Sequence, residues 1–177
     1  MARSTKTTAE WWSETKVDPD RLHEWLIKQY RGEVTAARRI EQVAAQYAPD
    51  SAKAVLQVIA DQERRHASWV LDLLKARGLE PSIEGAEDRY WAATLPSIES
   101  FETAAAVGAH AEAMRLKRIQ EIVSDEAAPG DIRRVFKKIL KDELFHERAF
   151  RRLAGAEALA NVAPSHQRGL ELLGLTA

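Results

Sequence analysis

The sequence predicts an all-α fold, an antiparallel four-helix bundle, and three observations carry that expectation. Four long segments are bounded by helix start and stop signals. Almost no strand-like alternation lies between them, and within them apolar residues recur alternately three and four apart.

The first segment opens at Asp18, an N-cap followed by Pro19 at the first helical position, and runs to Tyr47 ahead of Pro49. The second starts at Asp50 and stops at Gly78. The third opens after Pro96 with Ser97 as its cap and continues to Asp125; the fourth begins at Asp131 and fades near Gly155. Helices of this length are rods of about 40 Å at 1.5 Å per residue. The short joints at Ala48 to Pro49 and Glu126 to Gly130 connect only antiparallel neighbours, which makes two hairpins. Between the hairpins, Leu79 to Pro96 holds Pro81, Gly85, Tyr90 and Trp91 and is long enough to cross the bundle lengthwise. The expected organisation is therefore a leader over 1–17, the bundle over 18–155 and a tail over 156–177. Leu170, Leu172, Leu173 and Leu175 give the tail the character of a short extra helix or a docked strap. Trp11 and Trp12 leave two readings for the leader, a segment docked on the bundle or an unstructured tail.

Composition narrows the chemistry. A chain of 177 residues with 45% hydrophobic and 30% charged content reads as one globular domain of ordinary size. Its 26 Lys and Arg against 27 Asp and Glu leave a net charge of -1 with no block of one sign, so neither nucleic acid nor an anionic membrane is an expected partner. No signal peptide or membrane span is evident, and a cytoplasmic location is expected. With no cysteine, there are no disulfides, thiolate zinc sites, iron-sulfur clusters or cysteine nucleophiles. Any metal must be held by oxygen and nitrogen.

The buried seams are interrupted by polar residues at one depth. The fourth segment reads Ile132, Phe136, Ile139, Glu143, His146, Phe150, Leu153, and the second reads Leu56, Ile59, Glu63, His66, Val70, Leu73. In each, a Glu-x-x-His pair stands where core residues belong. The first seam adds Glu33 among Leu22, Leu26, Ala37, Ile40 and Ala44; the third adds Glu112 among Phe101, Ala105, Gly108, Ile119 and Ile122. Glu33 precedes Glu63 by 30 residues and Glu112 precedes Glu143 by 31, so the hairpins repeat. A lone E-x-x-H in a charged helix usually lies on the surface, but two pairs on core seams with two further glutamates do not fit that explanation. Four buried carboxylates repel one another, and each uncompensated charge costs several kcal/mol. Two divalent cations offset four carboxylates, with two neutral imidazoles completing the set, and the i, i+3 spacing puts each Glu and His on one helix face.

Glu33, Glu63-Arg64-Arg65-His66, Glu112 and Glu143-Leu144-Phe145-His146 together resemble the ferritin-like di-iron carboxylate superfamily, including rubrerythrins and bacterioferritins, over about residues 18–155. The resemblance implies that Glu63 and Glu143 bridge two metal ions, with Glu33 and His66, and Glu112 and His146, as terminal ligands. Three departures refine it. Rubrerythrins append a four-cysteine domain that this chain lacks, so a separate electron donor is expected. They also tend to carry another Glu where Arg115 stands, which argues against a seventh carboxylate ligand. Bacterioferritins bind haem through a Met next to the second-helix Glu; here that position is Arg64, the only methionines are Met1 and Met114, and no haem is expected.

Secondary positions are read more simply. Arg115 is expected to snorkel from the seam edge rather than hold a carboxylate or anion. Tyr30 fits a partly buried helix tyrosine better than a donor to the site. Gln62 and Asp142, four residues before His66 and His146, have a spacing suited to orienting those imidazoles, unless adjacent helices supply the partners. His23, His110 and His166 lie off the seams and are expected to be solvated. Arg38-Arg39, Arg133-Arg134, Lys137-Lys138 and Arg151-Arg152 fit outer helix faces.

Oxygen and imidazole ligands suit iron first and manganese second, while zinc would be redox-silent. A ferrous pair about 3.5 to 4 Å apart can deliver two electrons together to dioxygen or hydrogen peroxide. Two functional classes follow: an oxidoreductase, either a rubrerythrin-like peroxidase or an oxygenase with a small organic substrate, and a ferroxidase serving iron storage in a multi-subunit shell. A homodimer suits the first and argues against the second. Small residues from Ala104 to Ala106 with Gly108 fit either a cavity beside the metals or close helix packing.

Overall fold

A computed structural model describes residues 6–83 and 88–175 of the chain; Gly85 of the long connection lies outside them. Six α-helices are present and no strand among the described residues: α1 Thr8–Thr15, α2 Pro19–Gln46, α3 Asp50–Lys75, α4 Arg89–Thr94, α5 Phe101–Ser124 and α6 Gly130–Leu173. The four long ones are α2, α3, α5 and α6, where the apolar spacing places them.

Local chemistry sets their ends. Asp18 caps α2 by accepting from the backbone N–H groups of Asp20 and Arg21. The chain leaves α3 through Gly78 at φ 70°, the left-handed turn that glycine adopts without penalty. The cap of α5 is Ser100, not Ser97. Ser97 belongs to a 3₁₀ turn, Leu95–Ser97, and its hydroxyl donates to the Thr94 carbonyl. Ser100 and Thr103 instead bond each other's backbone N–H reciprocally. Gly155, at φ 71° and ψ 167°, breaks α6, and the chain then resumes as a helical arm to Leu173.

Two apolar clusters fill the bundle, and their membership gives the direction of each helix. One contains Ile40, Leu56, Ile59, Phe101 and Phe150; the other contains Leu26, Val70, Ile122, Ile132 and Phe136. Helices α2 and α6 run from the second cluster to the first, while α3 and α5 run from the first to the second. Each hairpin is therefore antiparallel. The connection from α3 to α5 must traverse the bundle's length, as its size predicts. Helix α2 packs on α3, α5 on α6, and α3 against α6.

Three pieces surround the bundle, and the leader takes the docked one of its two readings. The leader forms α1, docked by Trp12, which is 1% exposed and donates from Nε1 to Asp125 at 2.8 Å. Trp11, Trp12 and Trp25 meet edge to face or tilted, with centroids 5.6 to 5.8 Å apart. Helix α4 packs on the arm of α6, where Gly169 admits the Tyr90 ring: a Cβ there would lie 2.6 Å from it. His110 and His166, expected to be solvated, stack on each other at 4.5 Å instead. Tyr90 Oη lies 2.7 Å from His166 Nδ1, and His110 Nε2 lies 3.2 Å from the Leu159 carbonyl. Residues from the connection, α5 and the arm make this cluster, so no single helical spacing announces it. The small residues of α5 pack closely; a Cβ on Gly108 would meet the Phe150 ring at 3.1 Å.

Candidate metal centre

Between the two apolar clusters the seams carry Glu33, Glu63, His66, Glu112, Glu143 and His146, all buried, with Glu112 at 5% exposure and the rest at 0%. These are the six residues whose spacing on four helices predicts a shared depth, and the structure brings them together. They form two overlapping groups, Glu33, Glu63, His66, Glu143 and Glu63, Glu112, Glu143, His146. Within each group one ligand atom per residue lies within 4.8 Å of the others. Glu63 and Glu143 belong to both.

The imidazoles are turned so that Nδ1 faces the carboxylates. His146 Nε2 is 2.9 Å from the Gln62 Oε1, which can only accept, so Nε2 carries the proton and Nδ1 keeps its lone pair. His66 Nε2 lies 3.1 Å from Asp142, and Gln62 Nε2 donates to Asp142 at 3.1 Å. Gln62 and Asp142 do orient imidazoles, but crosswise: each acts on the histidine of the opposite hairpin. Rotation through four residues carries each side chain beyond its own histidine, toward the helix packed alongside.

Arg115 differs most from its sequence reading. It enters the cluster instead of snorkelling away, with Nη1 3.1 Å from Glu143, 3.2 Å from Glu33, 3.3 Å from Glu63 and 3.8 Å from Glu112. Four carboxylates within reach outweigh the desolvation of one guanidinium. Gln29, which sequence reasoning missed, donates to Glu33 from one turn earlier on α2. Its i, i+4 position relative to Glu33 was the available signal. Tyr30 packs against the second apolar cluster.

The cluster divides its protons unevenly. Burial pushes Glu63 and Glu112 well above the usual carboxylate range, with Glu143's charge reinforcing it. Burial also opposes ionisation of Glu33 and Glu143, yet Arg115 and neighbouring hydrogen bonds outweigh it, lowering Glu143 and bringing Glu33 to about 2. His66 resists charging through burial, but Glu143 and Glu33 raise it to about 11. Without metal, Arg115 and a protonated His66 thus stand against two ionised carboxylates.

This arrangement leaves a specific deficit. Glu63 Oε1, His66 Nδ1, Glu112 Oε2, Glu143 Oε2 and His146 Nδ1 are buried and make no hydrogen bond among the described residues. Buried polar atoms are normally satisfied, so five orphans in one cluster need an unusual explanation. Once deprotonated, all are lone-pair donors suited to a hard or borderline divalent cation. The residues present therefore fit a metal pair.

No curated protein and no solved structure matches the chain. The family model for rubrerythrin, a ferritin-like di-iron family, matches residues 24–154, a span that includes all six buried Glu and His residues and Arg115. On that match and on the buried cluster it contains, the chain belongs to the rubrerythrin family.

Proposed function

We propose that this protein is a dinuclear non-haem iron oxidoreductase that reduces hydrogen peroxide or dioxygen with electrons from a separate donor. The observation that carries this reading is the set of five orphaned ligand atoms arranged as two groups sharing Glu63 and Glu143. Glu63 and Glu143 would bridge, Glu33 with His66 and Glu112 with His146 would complete the two ends, and iron is favoured over manganese. A bound iron pair supplies two electrons per turnover.

The remaining functions belong to the chain. Gln62 and Asp142 hold the two Nε2 atoms, so both Nδ1 atoms face inward and offer lone pairs once deprotonated. Arg115 keeps a fixed positive charge beside the carboxylates, and Gln29 holds Glu33. The apolar clusters shield the reacting volume from water at both ends along the bundle. The protons on Glu63, Glu112 and His66 must leave when cations enter, so metal uptake strengthens with rising pH.

The test is anaerobic loading with ferrous iron, followed by optical spectra after dioxygen or hydrogen peroxide. A rapid change with peroxide identifies a peroxidase; one confined to dioxygen identifies an oxygenase or a ferroxidase. Size-exclusion chromatography then separates those two, because storage needs a many-subunit shell. A ferrous protein inert to both oxidants would refute the proposal.

A further inference from the structure

Arg118 lies one turn beyond Arg115 on α5 and has a different environment. It makes no hydrogen bond or ion pair among the described residues; its guanidinium lies 5.2 Å from the centroid of the Trp11 ring. Burial with no anion to offset it holds this arginine below its ordinary pKa. The Trp11 face satisfies none of the guanidinium N–H donors, so this half-buried arginine can accept an anion from outside the chain.

A cavity of about 90 Å³ opens beside it. Trp25, Ile119 and Phe136 give it apolar walls, while Gln29 and Arg115, the two residues that hold Glu33, connect it to the carboxylate cluster. A second cavity of about 150 Å³ shares Arg118 and Met114 and adds Lys6, Lys117 and His166. Lys6 is paired with Glu14 and the His166 ring is neutral, so Lys117 and Arg118 supply the unpaired positive charge of the approach among the described residues. At roughly 10 to 15 Å³ per water-sized site, the inner cavity has room for about six to nine non-hydrogen atoms.

Charge points the same way. Two divalent cations balance four carboxylates, and Arg115 then leaves the filled site with an excess of +1. We propose that the inner cavity binds a small organic anion, a carboxylate with a short apolar chain, its charged end on Arg118 and its chain along Trp25 and Phe136 toward the cluster. Inorganic anions would waste the apolar walls, and a neutral alcohol would leave Arg118 unpaired. The inference deepens the proposed function by naming a substrate class; only the excess-charge step depends on the metals.

Butyrate, with six non-hydrogen atoms, is the probe, titrated by calorimetry into metal-loaded and metal-free protein, with 1-butanol and sulfate as comparators. Butyrate is expected to bind both forms, more tightly when loaded, and more tightly than either comparator. Arg118→Gln is expected to weaken it about tenfold, and Arg118→Lys less, with both variants' folds checked by circular dichroism. The site is overturned if butyrate binds neither form, if Arg118→Gln binds as the parent does, or if 1-butanol or sulfate binds equally well. Arg118-dependent binding in a protein that takes up no metal would sustain the anion site while removing the metal reading, so the two failures are distinguishable.

Discussion

Glu63 and Glu143 each serve both four-residue groups, so truncating either removes a carboxylate from two places at once. Glu63→Ala or Glu143→Ala is expected to lose at least one metal ion per chain, counted by elemental analysis after loading. Two ions retained in both variants would rule out bridging. A separate residue-scale effect belongs to His166, whose pKa falls from 6.5 to about 4 through burial, with His110 and Lys117 contributing. As pH drops, the unfolded chain takes up that proton before the folded one. The stability contributed by the neutral ring is therefore complete above pH 6.5 and is lost as pH falls toward 4. His166→Phe should flatten the dependence of melting temperature on pH in that window. An unchanged slope would mean that the ring is solvated after all.

At the scale of the element, the break in α6 depends on Gly155, whose φ of 71° with ψ 167° lies in territory that only glycine occupies readily. Gly155→Ala is expected to cost about 1 to 3 kcal/mol, measured by thermal or denaturant unfolding. The sequence reading placed the fourth segment's end at this residue, and the bundle helix does end there. What it left open was that helix resumes beyond, because Leu170 to Leu175 carries too little pattern to distinguish a helix from a strap. The seams were legible because buried Glu and His residues replaced core residues without breaking the 3/4 rhythm. Arg115 was not, since three residues after Glu112 a long side chain can lie on either edge of the seam. The crossing of Gln62 and Asp142 depends on how closely α3 and α6 pack, which single-helix spacing does not contain. The Tyr90, His110 and His166 cluster joins three elements and has no local signature.

For the whole molecule, the metal centre lies between two halves of a core that are otherwise apolar, so its occupancy bears on global stability. The metal-free protein is expected to melt lower than the loaded one. Arg115→Gln should widen that gap, because it removes a permanent cation that touches all four buried carboxylates, a loss of about 3 kcal/mol or more. In the loaded protein the bound ions cover most of that loss. Scanning calorimetry with and without metal checks both statements; a gap unchanged by Arg115→Gln would show that Arg115 is not the cluster's internal counter-ion. The crosswise hydrogen bonds carry a last consequence. Because Gln62 on one hairpin fixes His146 on the other, and Asp142 fixes His66 in return, neither half of the chain can present a correctly aimed imidazole alone. Metal uptake is therefore a report on hairpin docking, and a nascent chain whose first half has emerged has no finished place to trap an ion before the second half arrives.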